Sequence, residues 1–215
     1  SNKIIDSHVH IGKWGNKKYP ISSIDEFVKQ PLGNGDTVEK MFVSSLECIN
    51  DKTVNEYIGN RALLSELSAN PKFLPLAVAK PNMTNGNTEM LGKLFKEFPH
   101  RFIGLKFHPE NIGVPANSSI YDNYIAFAQK NSIPCLFHSA STYAVAYPDG
   151  SVGKHSELSR PEQIYELAKR HIAIISIRDH ILTYITTQRK WNLMAQSTKN
   201  ARIAMQCVKK KINKL

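Results

Sequence analysis

Cysteine is scarce in this 215-residue sequence, and the three that occur, Cys48, Cys135 and Cys207, are widely spaced without a CxxC pair. Neither a disulfide framework nor a thiolate metal site is therefore expected. Long apolar runs are also missing: residues 172–175 form one of the longest, whereas a membrane-spanning helix needs about 20 apolar residues. The first residues lack the basic and then apolar pattern of an export signal. We therefore expect a cytoplasmic protein that makes no use of a membrane.

Acidic residues are almost absent from the last fifth of the chain. Residues 169–215 hold 11 basic side chains and one acidic side chain, Asp179, whereas residues 1–168 hold 17 of each. The formal charge of +10 therefore belongs to this last part, and the body of the protein shows no basic surface suited to nucleic acid. The basic part contains only Tyr184 and Trp191 as aromatic residues, too few for base stacking. We do not expect nucleic acid as a partner.

Short β-branched and aromatic runs alternate along the chain with segments whose apolar residues recur every three or four positions. Strands are predicted at residues 3–11, 41–47, 73–79, 102–108, 134–138 and 172–177. Helices are predicted at residues 53–67, 89–98, 119–130 and 161–170. Such alternation is typical of a single α/β domain with a parallel sheet, either an open doubly wound sheet or a closed (β/α)8 barrel.

Four of the eight histidines end predicted strands. His8 and His10 lie two residues apart at the end of the first strand, so both side chains are expected on one face. His108 and His138 close the fourth and fifth strands. Because the carboxyl ends of parallel strands meet at one edge of a sheet, the four imidazoles should gather there. Several imidazoles around an open coordination position are typical of a catalytic metal site, although the pair of His8 and His10 alone is equally compatible with chance.

Three motifs together resemble the amidohydrolase superfamily, in its amidohydrolase-related, metal-dependent hydrolase branch. They are Asp-x-His-x-His at residues 6–10, Gly-x-Lys-x-His-Pro at 104–109 and Pro-x-x-x-His at 134–138. The resemblance covers about residues 3–171 and implies a distorted (β/α)8 barrel that binds one or two divalent metal ions at the strand ends.

The resemblance also implies roles for individual residues. His8, His10 and His138 would be metal ligands, with zinc as the first choice and manganese or another transition metal as alternatives. Lys106 and His108 would face the pocket as catalytic groups that position the substrate or stabilise developing negative charge. Carbamylation of Lys106, which would let it bridge two ions, is the other role that relatives suggest.

The function implied is attack of a metal-activated water on the carbonyl of a small amide, ester or lactone. Ions held by imidazoles make hydroxide available near neutral pH, which agrees with this chemistry. Two alternatives stay open. One is non-hydrolytic decarboxylation or hydration of a small carboxylic acid on the same scaffold, and the other is an inactive, truncated barrel whose basic end serves as a binding module.

Further residues are candidates from their positions. Trp14 and Tyr143 follow the first and fifth strands, where substrate-binding side chains commonly lie. Asp6 either orients the nearby histidines or caps the local backbone. His180 stands near the place where the family carries a sixth-strand histidine, and it is a third catalytic candidate. Ser159 is predicted to cap the helix that begins at residue 161.

The family pattern stops near residue 171, where the composition changes. No strand beyond the sixth and no late aspartate motif is evident, so the barrel is predicted to be incomplete. Residues 172–215 are predicted to be an atypical basic end, with a helix over residues 183–215. A frameshift or a truncation with an unrelated end would explain this change. A native tail that covers the open sheet edge or binds an acidic partner is the competing idea, and an incomplete barrel would also favour a homo-oligomer.

Overall fold

The computed structural model describes residues 3–29, 31–67, 70–139, 144–146, 152–154, 158–171 and 175–179. The strands are β1 (Lys3–Trp14), β2 (Lys17–Tyr19), β3 (Thr37–Ser45), β4 (Phe73–Val78), β5 (Gly104–Phe107), β6 (Cys135–Ser139), β7 (Ala144–Ala146), β8 (Val152–Lys154) and β9 (Ile175–Asp179). The helices are α1 (Ile21–Lys29), α2 (Leu46–Asn50), α3 (Glu56–Leu67), α4 (Glu89–Glu97), α5 (Pro109–Ile112), α6 (Asp122–Lys130) and α7 (Pro161–Arg170), with a 3-10 turn at Ser119–Tyr121.

Six strands pair in parallel to form one curled sheet in the order β1-β3-β4-β5-β6-β9. β2 extends the β1 end as an antiparallel strand, and β7 and β8 form a separate hairpin. The predicted α/β class and the half-barrel of six parallel strands are confirmed. A closed eight-stranded barrel is not seen, since β1 and β9 do not pair within the described part of the chain.

Apolar side chains cover both faces of the sheet. Leu74, Leu76, Ile103 and Leu136 pack together on the concave face. On the outer face the helices pack on a core that includes stacked rings of Phe107 and Phe137, whose centroids are 4.6 Å apart. This double burial explains why the central strands are almost continuously apolar.

The six predicted strands appear with ends that differ by up to four residues, and the four predicted helices also form. The prediction for Ser159 is wrong: Arg160 is the N-cap residue of α7, and the Ser159 hydroxyl donates instead to the carboxylate of Glu110. Among the described residues no helix has both the length and the apolar character required to cross a bilayer.

The end of the chain is described only in part. β9 lies beyond residue 171, where the family pattern stops, and it still pairs in parallel with β6. The predicted helix falls on residues 183–215, which lie outside the described residues. Its origin by frameshift or truncation stays a prediction.

A buried polar network joins the start of α3 to the end of β4. The side chain of Asn60 donates to the carbonyl oxygens of Glu56 and Val78 over 2.7 and 2.9 Å, and accepts from the Val78 N–H over 2.7 Å. Glu56 Oε1 accepts hydrogen bonds from the backbone N–H of Lys80 and, over 2.7 Å, from the hydroxyl of Tyr124. Glu56 Oε2 is buried without a hydrogen-bond partner among the described residues. Burial raises the pKa of Glu56 to about 7, and the hydrogen bonds and Lys80 only partly oppose it.

The pKa of Glu56 predicts a pH-dependent contribution to stability. The folded protein keeps the proton up to about pH 7, whereas the unfolded chain releases it near 4.5, so this contribution is complete below pH 4.5 and is lost as the pH rises to 7. The loss is about 3 kcal/mol. Urea unfolding at several pH values should show that Glu56→Gln removes this pH-dependent contribution. The free energy of unfolding of the variant should therefore increase relative to that of the wild type as the pH rises.

Glu66→Gln is the matched control, because Glu66 is an exposed carboxylate on the same helix. Its stability difference from the wild type should stay level with pH. A level difference for Glu56→Gln as well would contradict the assignment.

Candidate functional site

The parallel sheet brings the predicted chemical groups to one edge. His8 and His10 lie in β1, Lys106 lies in β5 with His108 directly after it, and His138 lies in β6. Because these strands run in the same direction, their carboxyl ends meet. We call this group of five side chains the histidine mouth.

The side chains of His8, His10 and Lys106 are in mutual contact. His8 Nε2 lies 2.9 Å from His10 Nε2 and 3.1 Å from Lys106 Nζ. Two imidazoles that bind one zinc ion place their nitrogens about 3.3 Å apart, given zinc–nitrogen bonds of about 2.0 to 2.1 Å. The observed separation of the two ring nitrogens is close to that value, and it is also that of a hydrogen bond between the two rings. Lys106 is fully buried beside it.

The ring of His10 is held in place from behind. Its Nδ1 lies 2.7 Å from the hydroxyl oxygen of Ser44, a buried residue of β3. A proton on Nδ1, donated to Ser44, leaves the lone pair of Nε2 directed toward the mouth. Metal-binding histidines are commonly oriented by such a second hydrogen bond.

Asp6 acts on the backbone of β1. The β1–β3 register shifts between Asp6 and Val9, and it pairs Asp6 with Met41 but His10 with Ser44. Despite this irregularity, Asp6 and His10 line the same cavity. The carboxylate of Asp6 accepts a hydrogen bond from the His8 N–H over 3.0 Å. This is the capping role of the two roles predicted.

A second donor group lies beside the first. The rings of His108 and His138 stack with centroids 4.0 Å apart and an interplanar angle of 9°. His108 Nδ1 lies 3.5 Å from Glu110 Oε2, and both side chains are largely buried. The ligand atoms of His108, Glu110 and His138 all lie within 4.8 Å of one another, so this His/Glu/His group could hold a metal ion. No other group of this kind occurs among the described residues.

The electrostatics of His108 suit a ligand. Burial holds the pKa of His108 well below its usual value of 6.5, and the nearby His138 and Lys106 lower it further. The ring is therefore neutral at pH 7. Its Nδ1 is buried and makes no hydrogen bond within the described structure, and a neutral imidazole with such a nitrogen can coordinate a cation.

Glu110 is the site residue that sequence reasoning missed. It follows His108 and Pro109 directly and occupies the first turn of α5, where proline fixes the start of the helix. Ser159 donates a hydrogen bond to Glu110 Oε1 and so orients the carboxylate. In the sequence, the acidic residue directly after the His-Pro pair was the available signal. The direction of its side chain depends on a helix of four residues, which is too short to show a periodic pattern.

Trp14 was expected to follow the first strand, but it is the last residue of β1 because that strand is longer than predicted. Together with His8 and His10 it lines a cavity of about 510 Å³. Tyr143 and His180, the other predicted substrate-binding and catalytic residues, lie outside the described residues.

No protein-family model matches the chain, and no curated protein matches it. The function therefore has to be argued from the histidine mouth and its surroundings.

Proposed function

We propose that this protein is a metal-dependent hydrolase of the amidohydrolase type that acts on a small amide, ester or lactone. The observation that carries the proposal is the convergence of His8, His10, Lys106, His108 and His138 at one edge of a parallel sheet. Apolar residues surround most positions of the sheet, so burying this many polar groups among them lowers the stability of the fold. Such a cluster is therefore typical of a functional site.

We propose His8, His10 and His138 as the ligands, with zinc as the ion. The spacing of His8 and His10 and the support that Ser44 gives to His10 favour these two ligands, whereas the ligand atoms of His138 group with those of His108 and Glu110. When bound there, a zinc ion would polarise a carbonyl and lower the pKa of water toward about 7. His108 and Glu110 form the second donor group with His138, and their geometry favours them as the alternative partners of His138.

The other side chains have separate tasks in this proposal. Lys106 is fully buried with its Nζ beside His8, so in its protonated form it can stabilise the negative charge that develops on a carbonyl oxygen. His108 is neutral and next to the Glu110 carboxylate, so it can position the substrate by a hydrogen bond. The surrounding β-sheet keeps both groups rigid before substrate arrives, which reduces the cost of ordering them.

Metal analysis of protein purified without chelator tests the ligands. We expect about one zinc ion per chain in the wild type and a large loss in the His8→Ala/His10→Ala double variant, since a site with one remaining imidazole binds weakly. His100→Asn is the control, because His100 is exposed, has a φ of 62° that asparagine tolerates, and should keep the metal.

A His108→Ala/Glu110→Gln double variant separates the two donor groups. Metal lost here and kept in the His8→Ala/His10→Ala variant would assign the ion to the second group. Equal metal content in all variants and the wild type would contradict a metal site at this edge.

The contact between Ser44 and His10 predicts an indirect effect on metal affinity. Ser44→Ala removes the hydrogen bond that orients His10, so zinc affinity should fall about 10-fold to 100-fold. Competition with a chelating indicator dye measures this change.

Ser45→Ala is a neighbouring control with a different role. The Ser45 hydroxyl accepts from the Cys48 N–H at the start of α2, so its loss should lower the unfolding temperature without changing zinc affinity. A similar zinc affinity in the Ser44→Ala variant and the wild type would show that Ser44 does not support the site.

A further inference from the structure

The cavity beside the histidine mouth is mostly apolar. It has a volume of about 510 Å³, within the range of small-molecule sites. The polar part of its wall comes from Asp6, His8 and His10. The remaining wall is formed by Val9, Trp14, Tyr19, Ile24, Met41 and Leu46, and no lysine or arginine is among the described residues that line it.

The hairpin of β1 and β2 brings two aromatic rings to this cavity. Gly12 pairs with Tyr19 and Trp14 pairs with Lys17, so Trp14 and Tyr19 lie diagonally on one face of the hairpin. Gly12 has a φ of 109°, and a Cβ there would lie 3.6 Å from the backbone nitrogen of Leu46. Glycine therefore permits the positive φ at this point of the hairpin, whereas a Cβ would fit beside α2 at an ordinary contact distance.

The apolar part of the wall offers no cation to an anionic group. Asp6 accepts a hydrogen bond from the His8 N–H and stands among apolar side chains. A carboxylate on the substrate that entered this part would lose its hydration, and no lysine or arginine is among the described residues there to replace it. An aromatic ring or branched alkyl chain, in contrast, would contact Trp14 and Met41 and lose only apolar exposure to water.

We infer that this cavity binds an uncharged apolar group of the substrate, an aryl ring or a branched alkyl chain next to the bond that is cleaved. The inference rests on the proposed function for the reaction at His8 and His10, but the binding of the apolar group itself does not require metal or turnover. It also disfavours small polycarboxylates as substrates, because their charged ends would enter this part of the cavity.

Fluorescence titration with a matched pair of probes tests the inference. N-phenyl-1-naphthylamine is uncharged, and 1-anilinonaphthalene-8-sulfonate is the same ring system with a negative charge. We expect the uncharged probe to bind at least about tenfold more tightly to the wild type, and Trp14→Ala to weaken its binding by about tenfold or more. Tighter binding of the sulfonate would overturn the inference.

Two further variants keep the result interpretable. Trp14→Phe retains a ring and should bind within about threefold of the wild type, which separates lost contact from lost folding when far-UV circular dichroism is recorded in parallel. Ile58→Ala alters a different cavity, between α3 and the Phe98–Arg101 turn, and should leave binding unchanged. Weaker binding in Ile58→Ala and unchanged binding in Trp14→Ala would overturn the inference.

The proposed function and this inference can fail separately. Protein that binds the uncharged probe through Trp14 but holds no zinc would contradict the hydrolase and support the apolar subsite. Conversely, protein that holds zinc through His8 and His10, but whose Trp14→Ala variant binds the probe as tightly as the wild type, would support the hydrolase and contradict the apolar subsite.

Discussion

The parallel pairing of β1, β3, β4, β5 and β6 determines where the chemically active groups of this protein lie. Each of these strands enters from the same side and ends at the same edge. His10, Lys106 and His138 are separated by long stretches of sequence, yet their strands deliver them to one place. Without this common direction the imidazoles would be spread over two edges and could not lie close together. The apolar rows of Leu74, Leu76 and Leu136 hold the strands in that arrangement.

Two buried lysines show how the same residue type serves structure in one place and chemistry in another. Lys80 Nζ donates to the carbonyl oxygens of Asp51 and Val54 over 2.7 and 2.8 Å, so its hydrogen bonds fix the loop before α3. Lys106 Nζ instead lies against the ring of His8. Burying a charge is costly in both places. Lys80 stands beside Cys48 and Glu56, whereas Lys106 stands beside the imidazoles at the ends of the strands.

Strong periodic patterns made much of the fold predictable. Each strand that ends in a candidate residue has a short apolar run, and helices such as α3, α4 and α7 have apolar residues at helical spacing. Helix α1 was missed although Ile21, Ile24 and Val28 follow that spacing and pack against the core. Its short length and its position between a hairpin and a glycine-containing turn obscured the pattern.

Only those features of the site that follow from the alternation of side chains along a strand were predictable. His8 and His10 were expected on one face and are in contact. The register shift between Asp6 and Val9 was not predictable, because a side-chain pattern of period two does not show it. Glu110 was missed because the contact that orients it comes from Ser159, a residue 49 positions away. Contacts between distant loops depend on the tertiary structure, and no local sequence pattern predicts them.

The length of β1 has a consequence for the shape of the substrate. One continuous strand carries His10 and, four residues later, Trp14, a backbone separation of roughly 13 Å. The reacting end and the apolar end of a bound molecule would therefore both contact residues of the same strand. Such an arrangement would select substrates by their length. Homologous compounds that differ by a few methylene groups would then bind differently even if their functional groups were the same.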